Sequence, residues 1–509
     1  MTKSFSLPPL TLPRLTVALT FLGLLAMAAR PSADTDTWWH LRVGQWIVEQ
    51  GAVPQTDVFS HTRADADWRI PGWIVQVPLY LMFTNFGYAG INLFTAFCVM
   101  LTFVFIYWMC SGPPLLRAFT LVLAAAASAL YWAARPAIVS FTLAGAFAYI
   151  LWLYRWRGVN RLWLLPPLMT LWANAHGGFA LGFILLALTL AGQAAAFGWR
   201  WWMMRGAGAT GARASLAPTP TEGDVDGRGI VWLIGIGLAC AVAVAINPAG
   251  PVMLLYPFKT VSIGVLQDFI QEWQSPNFHT REAQPFLWLL LATLISVAFS
   301  GRRSNFTDVL LTCGVAYFGF LAARNVVLLA IVAPPLLTRQ AALALQQRAP
   351  ADALPRQPFA GSILINWFLL IVITLVVLLR VVTALPRSVN EAQIAKIVPV
   401  GAADYVLREH PPGPIFNAYN FGAYLMWRLY PDYPVYVDGR TDLYDDDFLR
   451  EYLDVALGRP VYQQTLDKYG VNLIIIDTGS LLTDRLREDA RWQKVYGDAV
   501  AEVYRWVKP

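Results

Sequence analysis

The sequence is short of charge. Only 14% of its 509 residues are Asp, Glu, Lys or Arg, against about 25% in a soluble globular domain. Apolar residues make up 57% and aromatic residues 14%, and the mean hydropathy is +0.49. One water-soluble core cannot hide that much apolar surface. An ordinary cytosolic enzyme and a disordered chain are therefore excluded. Cysteine is scarce too. Cys98, Cys110, Cys240 and Cys313 all lie inside apolar runs, with neither zinc spacing nor a CxxC pair. A disulfide-rich secreted module is excluded, and the four read as small core residues. No internal repeat of 20–50 residues is present. The net charge of +6 says little by itself, because in such a chain the position of the basic residues matters. Nothing points to nucleic acid.

What the sequence has instead is long apolar runs. A bilayer-spanning helix needs roughly 20 of them in succession. The first run covers about 15–29, and others centre near 90–110, 118–134, 138–154, 162–174, 179–198, 230–246, 285–300, 306–322, 325–338 and 362–384. These eleven predict a polytopic α-helical membrane protein over 1–384. The first reads as an uncleaved span rather than a signal peptide, since Ala29-Arg30-Pro31 is a poor cleavage site. Two spans, 162–174 and 325–338, are interrupted by Pro166-Pro167 and Pro334-Pro335.

Alternate connections (1–14, 111–117, 155–161, 199–229, 301–305 and 339–361) collect Lys3, Arg14, Arg117, Arg155, Arg157, Arg161, Arg200, Arg205, Arg213, Arg228, Arg302, Arg303, Arg339, Arg348 and Arg356. Their acids are Glu222, Asp224, Asp226 and Asp352. Positive-inside predicts a cytoplasmic N-terminus in the cell (inner) membrane and an extracytoplasmic C-terminus. The 199–229 loop reads as a flexible cytoplasmic linker. From 385 to 509 charges return and apolar runs shorten. Strands are expected at 414–418, 434–438, 472–477 and 499–506, and helices near 401–409, 421–430, 446–457, 461–469 and 480–489. That alternation predicts a C-terminal extracytoplasmic α/β domain.

The unusual polar residues all fall on the outer side. The first outer loop, 30–73, holds Asp34, Asp36, Trp38, Trp39 and a short amphipathic helix from about His40 to Gln50, closed by a turn at Gly51. Other outer ends carry Arg135-Pro136, the WANAHGGF segment with His176, and Arg324. The outer loop 247–284 contains Glu272. A transporter would be expected to bury such features near mid-bilayer, where these spans look apolar. A carboxylate at the boundary can deprotonate a hydroxyl or bind a divalent ion. An arginine at a span end can hold a lipid phosphate.

The segment DTDTWWHLRVGQWIVEQGAVPQTDVFS resembles the first outer loop of GT-C-fold membrane glycosyltransferases, including oligosaccharyltransferase catalytic subunits and protein O-mannosyltransferases. The family motif Asp-Pro-Trp-Phe-Asn-Tyr-Arg can be laid on Asp36-Thr37-Trp38-Trp39-His40-Leu41-Arg42. The resemblance implies a GT-C-like fold and a polyprenyl-phosphate-linked sugar as donor. It implies Asp36 as acid-base or metal-binding carboxylate, with Asp34 second. Two departures stand out. The tail has no Trp-Trp-Asp-Tyr-Gly motif, and Arg135-Pro136-Ala137 replaces the second acidic motif. Both favour transfer of one sugar to a lipid, glycan or protein hydroxyl over transfer of an oligosaccharide to asparagine.

Each candidate has a plainer competitor. Asp36 could simply cap the loop helix. Glu272 reads as a second or metal-linked carboxylate, or as part of an amphipathic helix over 261–274. Arg42, Arg135 and Arg324 read as phosphate ligands, or as side chains snorkelling to headgroups. His40, His61, His176 and His279 share the outer side without ligand spacing, and His176 could mark a tight turn. In VDGR, Asp438 and Arg440 would project at a strand's end toward the membrane site, or would pair across the Gly439 turn. Asp445–Asp447 reads as a helix N-terminus. The site residues expected are thus Asp36, Asp34 and Glu272 for catalysis, with Arg42, Arg135, Arg324, His176, Asp438 and Arg440 for binding. Mg2+ or Mn2+ is the ion such carboxylates would hold. Membrane lipid, a lipid-linked sugar and an acceptor are the partners. A non-catalytic envelope scaffold and a lipid or solute transporter are the competing functions.

Overall fold

The computed structural model describes residues 9–31, 33–206, 221–348 and 360–507. Lys3, Arg213, Asp352, Arg356 and residues 207–220 of the expected linker lie outside the described residues.

Every apolar run is helical, as hydrocarbon requires of a backbone that must bond to itself. In chain order the membrane part comprises α1 (Leu12–Ala28), α2 (Thr37–Gln50), α3 (Trp73–Met109), α4 (Pro114–Ser128), α5 (Ala137–Arg157), α6 (Leu165–Ala175) and α7 (Ala180–Gly206). It continues with α8 (Gly227–Val244), α9 (Tyr256–Val261), α10 (Gly264–Phe269), α11 (Gln284–Phe299), α12 (Phe306–Leu321), α13 (Val326–Arg348) and α14 (Ala360–Ala384). Among the described residues, seven helices are long and apolar enough to cross a membrane, and α1, α11 and α12 are shorter apolar helices. The chain is a multi-pass membrane protein.

The eleven expected spans need one correction in kind. α6 has 11 residues, or about 16 Å at 1.5 Å per residue, too short to cross alone. Pro166 and Pro167 occupy its first turn, and it ends at His176, whose backbone is extended. In α13, by contrast, Pro334 and Pro335 sit inside a helix that continues past them. α3 is really two helices. Gly87 has φ 59° and ψ −146°, which breaks the helix there, so the predicted 90–110 span follows a separate apolar helix over 73–86. Cys98, Cys110 and Cys240 are buried as expected, whereas Cys313 is exposed.

The tail comprises α15 (Arg387–Ile394), α16 (Val400–Glu409), β1 (Ile415–Asn417), α17 (Tyr419–Leu429), α18 (Asp446–Ala456), α19 (Tyr462–Lys468), β2 (Leu473–Asp477), α20 (Leu481–Glu488), β3 (Trp492–Gly497) and β4 (Ala501–Trp506). The sheet order is β1–β2–β4–β3. β1 runs parallel to β2, and the other pairs are antiparallel. Three expected strands and all five expected tail helices are present, while α15 and β3 come in addition.

The expected strand at 434–438 is not one. Only Val435 makes a bridge, to Ser60 of the first loop. The Asn417 side chain takes the groups a neighbouring strand would use. Its Nδ2 donates to the Val437 carbonyl at 2.8 Å and its Oδ1 accepts from Tyr436 N–H at 2.9 Å. Val435 N–H donates to the Phe59 carbonyl at 3.0 Å, and His61 N–H donates to the Val435 carbonyl at 3.1 Å. The tail is thereby stitched to the first loop. Trp38 adds an apolar seam, with Phe83, Tyr88, Tyr424 and Trp427 around its ring.

Candidate functional site

Asp36 stands at the start of α2 but does not cap it: its side chain makes no capping bond. Asp34 takes up the backbone instead, its Oδ1 accepting from Asp36 N–H at 2.9 Å. The Asp36 carboxylate is left to accept from Arg135 Nη1 at 3.0 Å. Arg135 sits in the link between α4 and α5, where its N–H donates to the Ala133 carbonyl and its carbonyl accepts from Ile138 N–H. The same guanidinium pairs with Glu272 through Nη2 and lies 3.6 Å from Asp34 Oδ2 through Nε. Its side chain is only 13% exposed. Glu272 belongs to a turn rather than to a helix over 261–274. The turn is held because Arg324 N–H donates to the Glu272 carbonyl and Ala323 N–H to that of Gln274. Three segments far apart in sequence thus meet at one arginine, and a fourth, 323–324, holds the Glu272 turn.

The electrostatics follow from one cation facing three anions. Burial raises Asp36, Asp34 adds to the rise, and Arg135 only partly reverses it, leaving the carboxyl at about 7. Burial works against the charge of Arg135, but Asp34, Glu272 and Asp36 more than offset it and raise its pKa. Burial would raise Glu272, yet Arg135 and Arg324 prevail and hold it below the usual range. Burial, with Arg324 and Arg135 nearby, lowers His176 to about 3. Burial also holds His40 well below its ordinary value. Both imidazoles are neutral at physiological pH. His40 Nδ1 meets Gln76 Nε2 at 3.0 Å, and His176 Nδ1 accepts from Gly178 N–H at 3.0 Å.

Asp34, Asp36, Arg135, His176, Glu272 and Arg324 all line one cavity of about 930 Å³. Leu181, Ile184, Phe318 and Val327 supply an apolar part of its wall. The Arg324 guanidinium lies 4.4 Å from the Trp273 ring centroid, and among the described residues no carboxylate lies within ion-pairing distance of it. The tail supplies a further wall, including Tyr419, Asn420, Thr441, Asp442 and Tyr452. Sequence reading missed Asp442. Burial raises it to about 6, and its charge helps raise the Tyr256 hydroxyl well above its ordinary value, after burial. Its only signal was a second acid two residues after VDGR.

Three expected ligands are elsewhere. Asp438 and Arg440 are wholly buried and paired at 2.7 Å. Arg440 also pairs with Asp57 and lies against the Phe59 and Trp68 rings. Their charges are used up in the turn and do not face the cavity. Between them, however, Gly439 touches the site: a Cβ there would fall 2.2 Å from Asp36 Oδ1. Arg42 donates to Gln45 at 2.8 Å and lies over the Tyr430 ring, outside the cavity lining. Asp445 caps α18 through Phe448 N–H, as expected. His61 bonds to the Ile415 carbonyl and His279 is exposed.

A divalent ion does not fit the donor set. Among the described residues no group of three His, Cys, Asp or Glu side chains is arranged for a metal. Asp34, Asp36 and Glu272 do converge, but on Arg135. The expected Mg2+ or Mn2+ therefore has no place in this geometry, and no chemical step is routed through it.

No protein-family model and no curated protein sequence matches the chain. Solved structures do. The oligosaccharyltransferase of Archaeoglobus fulgidus tethered with an acceptor peptide matches with TM-score 0.52 and 12% identity, over 91% of this chain and 69% of that one. The same archaeal protein, AglB, in complex with an inhibitory peptide and a dolichol-phosphate matches with TM-score 0.50 and 12% identity over the same shares. ArnT from Cupriavidus metallidurans, bound to undecaprenyl phosphate, gives TM-score 0.48 and 14% identity over 96% of each chain. At such identities the likeness is one of architecture. The chain has the GT-C fold.

Proposed function

We propose that this protein is a membrane glycosyltransferase. It moves a sugar from a polyprenyl-phosphate-linked donor to an acceptor hydroxyl on a lipid, glycan or protein, with inversion. The carrying observation is Asp36: a carboxylate near neutrality in pKa, pinned by Arg135 on the wall of a large cavity. A general base works best when its pKa lies near the operating pH. Arg324 is the cation left for the donor phosphate, and the apolar wall at Leu181, Ile184, Phe318 and Val327 suits the start of its lipid chain. Arg135, expected as a phosphate ligand, is instead committed to carboxylates. In the archaeal relative of the same fold, one complex contains dolichol-phosphate.

The acceptor oxygen attacks the anomeric carbon and Asp36 takes its proton. The bond from that carbon to the phosphate oxygen breaks, and the electron pair leaves with the phosphate beside Arg324. Asp442 and Tyr419 on the tail wall face the acceptor. Arg117, Arg302 and Arg303 belong to the end of the bundle away from the site, so positive-inside assigns that end to the cytoplasm. The site and the tail, from 385 onward, are then extracytoplasmic. A scaffold would need no cavity beside Asp36, and the cavity there favours the enzyme.

Lipid mass spectrometry of the purified protein tests the donor, with a co-purified polyprenyl phosphate expected and its loss in Arg324→Ala. Transfer measured in native membranes tests the base. Full activity in Asp36→Asn removes Asp36 from the mechanism.

A further inference from the structure

Three carboxylates that converge from two segments usually need a cation between them, because each would otherwise be desolvated beside two like charges. In many sites of this kind the cation is a divalent metal. Here it is part of the chain. Arg135 reaches Asp36 through Nη1 at 3.0 Å and Asp34 through Nε at 3.6 Å, and it reaches Glu272 through Nη2. Nη1 and Nη2 bond to different carboxylates, and Nε lies nearest the third. The backbone on either side is fixed, by the Ala133 carbonyl before it and by Pro136 and the first turn of α5 after it. A guanidinium is charged at every working pH and presents its donors in a rigid fork.

We propose that Arg135 is the permanent counter-cation of this site, in the place between the carboxylates where a divalent ion would otherwise bind, and that it positions Asp36 without any metal. A divalent ion cannot enter while Arg135 is there. It would sit within contact distance of a fixed positive charge, and one oxygen each of Asp36 and Glu272 is already bonded to that charge. Removing the guanidinium empties the space and leaves Asp34, Asp36 and Glu272 as an oxygen-only set suited to a hard cation. Arg135 is thus a positioning residue. The proposal rests on the glycosyl-transfer reading only for what Asp36 does; the exclusion of a metal is measured independently of it.

The experiment is a titration of the full-length protein in lipid nanodiscs with MnCl2, with free Mn2+ read by electron paramagnetic resonance. Wild type is expected to show only weak binding that Asp36→Asn does not change. Arg135→Ala is expected to gain one site at least about 10-fold tighter, the scale on which a residue supporting a metal site alters its affinity. That site should vanish again in the Arg135→Ala/Asp36→Asn double variant. Arg135→Lys, which keeps the charge, should behave like wild type. One Mn2+ bound tightly by wild type and lost in Asp36→Asn or Glu272→Gln overturns the proposal. So does a folded Arg135→Ala protein that gains no site. The wild-type and Asp36→Asn titrations alone decide the matter if Arg135→Ala does not fold. If the protein proves not to transfer sugars, these binding results stand unchanged.

Discussion

The two ends of α5 carry the same chemistry with opposite stoichiometry. Two residues before its first turn, Arg135 faces Asp34, Asp36 and Glu272. In its last turn, about 30 Å away at 1.5 Å per residue, Arg155 shares Asp308 with Arg339 at 2.8 and 2.5 Å. One cluster has an excess of carboxylate and opens on a cavity of about 930 Å³. The other has an excess of guanidinium and borders a void of only about 50 Å³. At the second end the guanidinium groups are held on several sides. Arg155 Nη2 donates to Asn305 Oδ1 and its Nε to the Gly223 carbonyl, Asn305 caps α12, and the Trp156 ring lies against Arg339. Buried ion pairs are therefore not evidence of function by themselves. What separates a site from a lock is unbalanced charge beside open volume.

The sharpest way to break this comparison is to neutralise one acid at each end. Asp36→Asn keeps shape and removes the base, so transfer should fall by about 10²–10⁴-fold, the range for losing a general base, with membrane insertion unchanged. Asp308→Ala should leave two guanidinium groups without their carboxylate. That should destabilise the protein by about 3–5 kcal/mol, as breaking a buried pair does, measured as a lower midpoint of thermal unfolding in detergent. If Asp308→Ala is as stable as wild type yet inactive, the assignment of the two ends is reversed.

Gly439 tests the tail's part in the site. Alanine there would put a methyl 2.2 Å from Asp36 Oδ1. The carboxylate is pinned by Arg135 and cannot swing aside without losing that bond. Gly439→Ala should cost roughly 10²-fold in transfer, the penalty for about 1 Å of misplacement, with little change in stability. Wild-type rates in this variant would show that the tail does not set the position of Asp36.

How far the sequence could anticipate these contacts depended on whether the signal was local. All eleven apolar stretches are helical, because hydrophobic run length is a local property. Asp36, Glu272, Arg135 and Arg324 stood out as polar groups at one end of the spans. The convergence of the carboxylates on Arg135 did not, since three segments separated by up to nearly 240 positions meet only in three dimensions. Arg135 read as a phosphate ligand because nothing local said its charge was already used. Asp438 and Arg440 misled for the same reason: Asp57, almost 400 positions earlier, neutralises Arg440. Residues 434–438 have strand composition, but the Asn417 amide takes their pairing groups. Asp308 escaped notice because a single acid at the start of an apolar run looks like a boundary.

The finest test of the comparison is the pH profile at the open end. Asp36 acts as a base only when ionised, and its carboxyl sits at about 7. The rate should therefore fall about tenfold per unit as pH drops below 7, and should level off above it. The charged and titratable groups around Asp36 are Asp34, Glu272, Arg135, Arg324 and Tyr419, and after burial Asp34 is the largest cause of the rise. Asp34→Asn keeps the Oδ1 that accepts from Asp36 N–H while removing that negative charge. Asp36 should then ionise more readily and the knee should move to lower pH. The rate plateau at high pH should change little, because Arg135 still holds the carboxylate. A knee that stays near 7 in Asp34→Asn, or one that moves upward, would assign the titration to another group on the cavity wall. Asp442, at about 6, is then the residue to replace next.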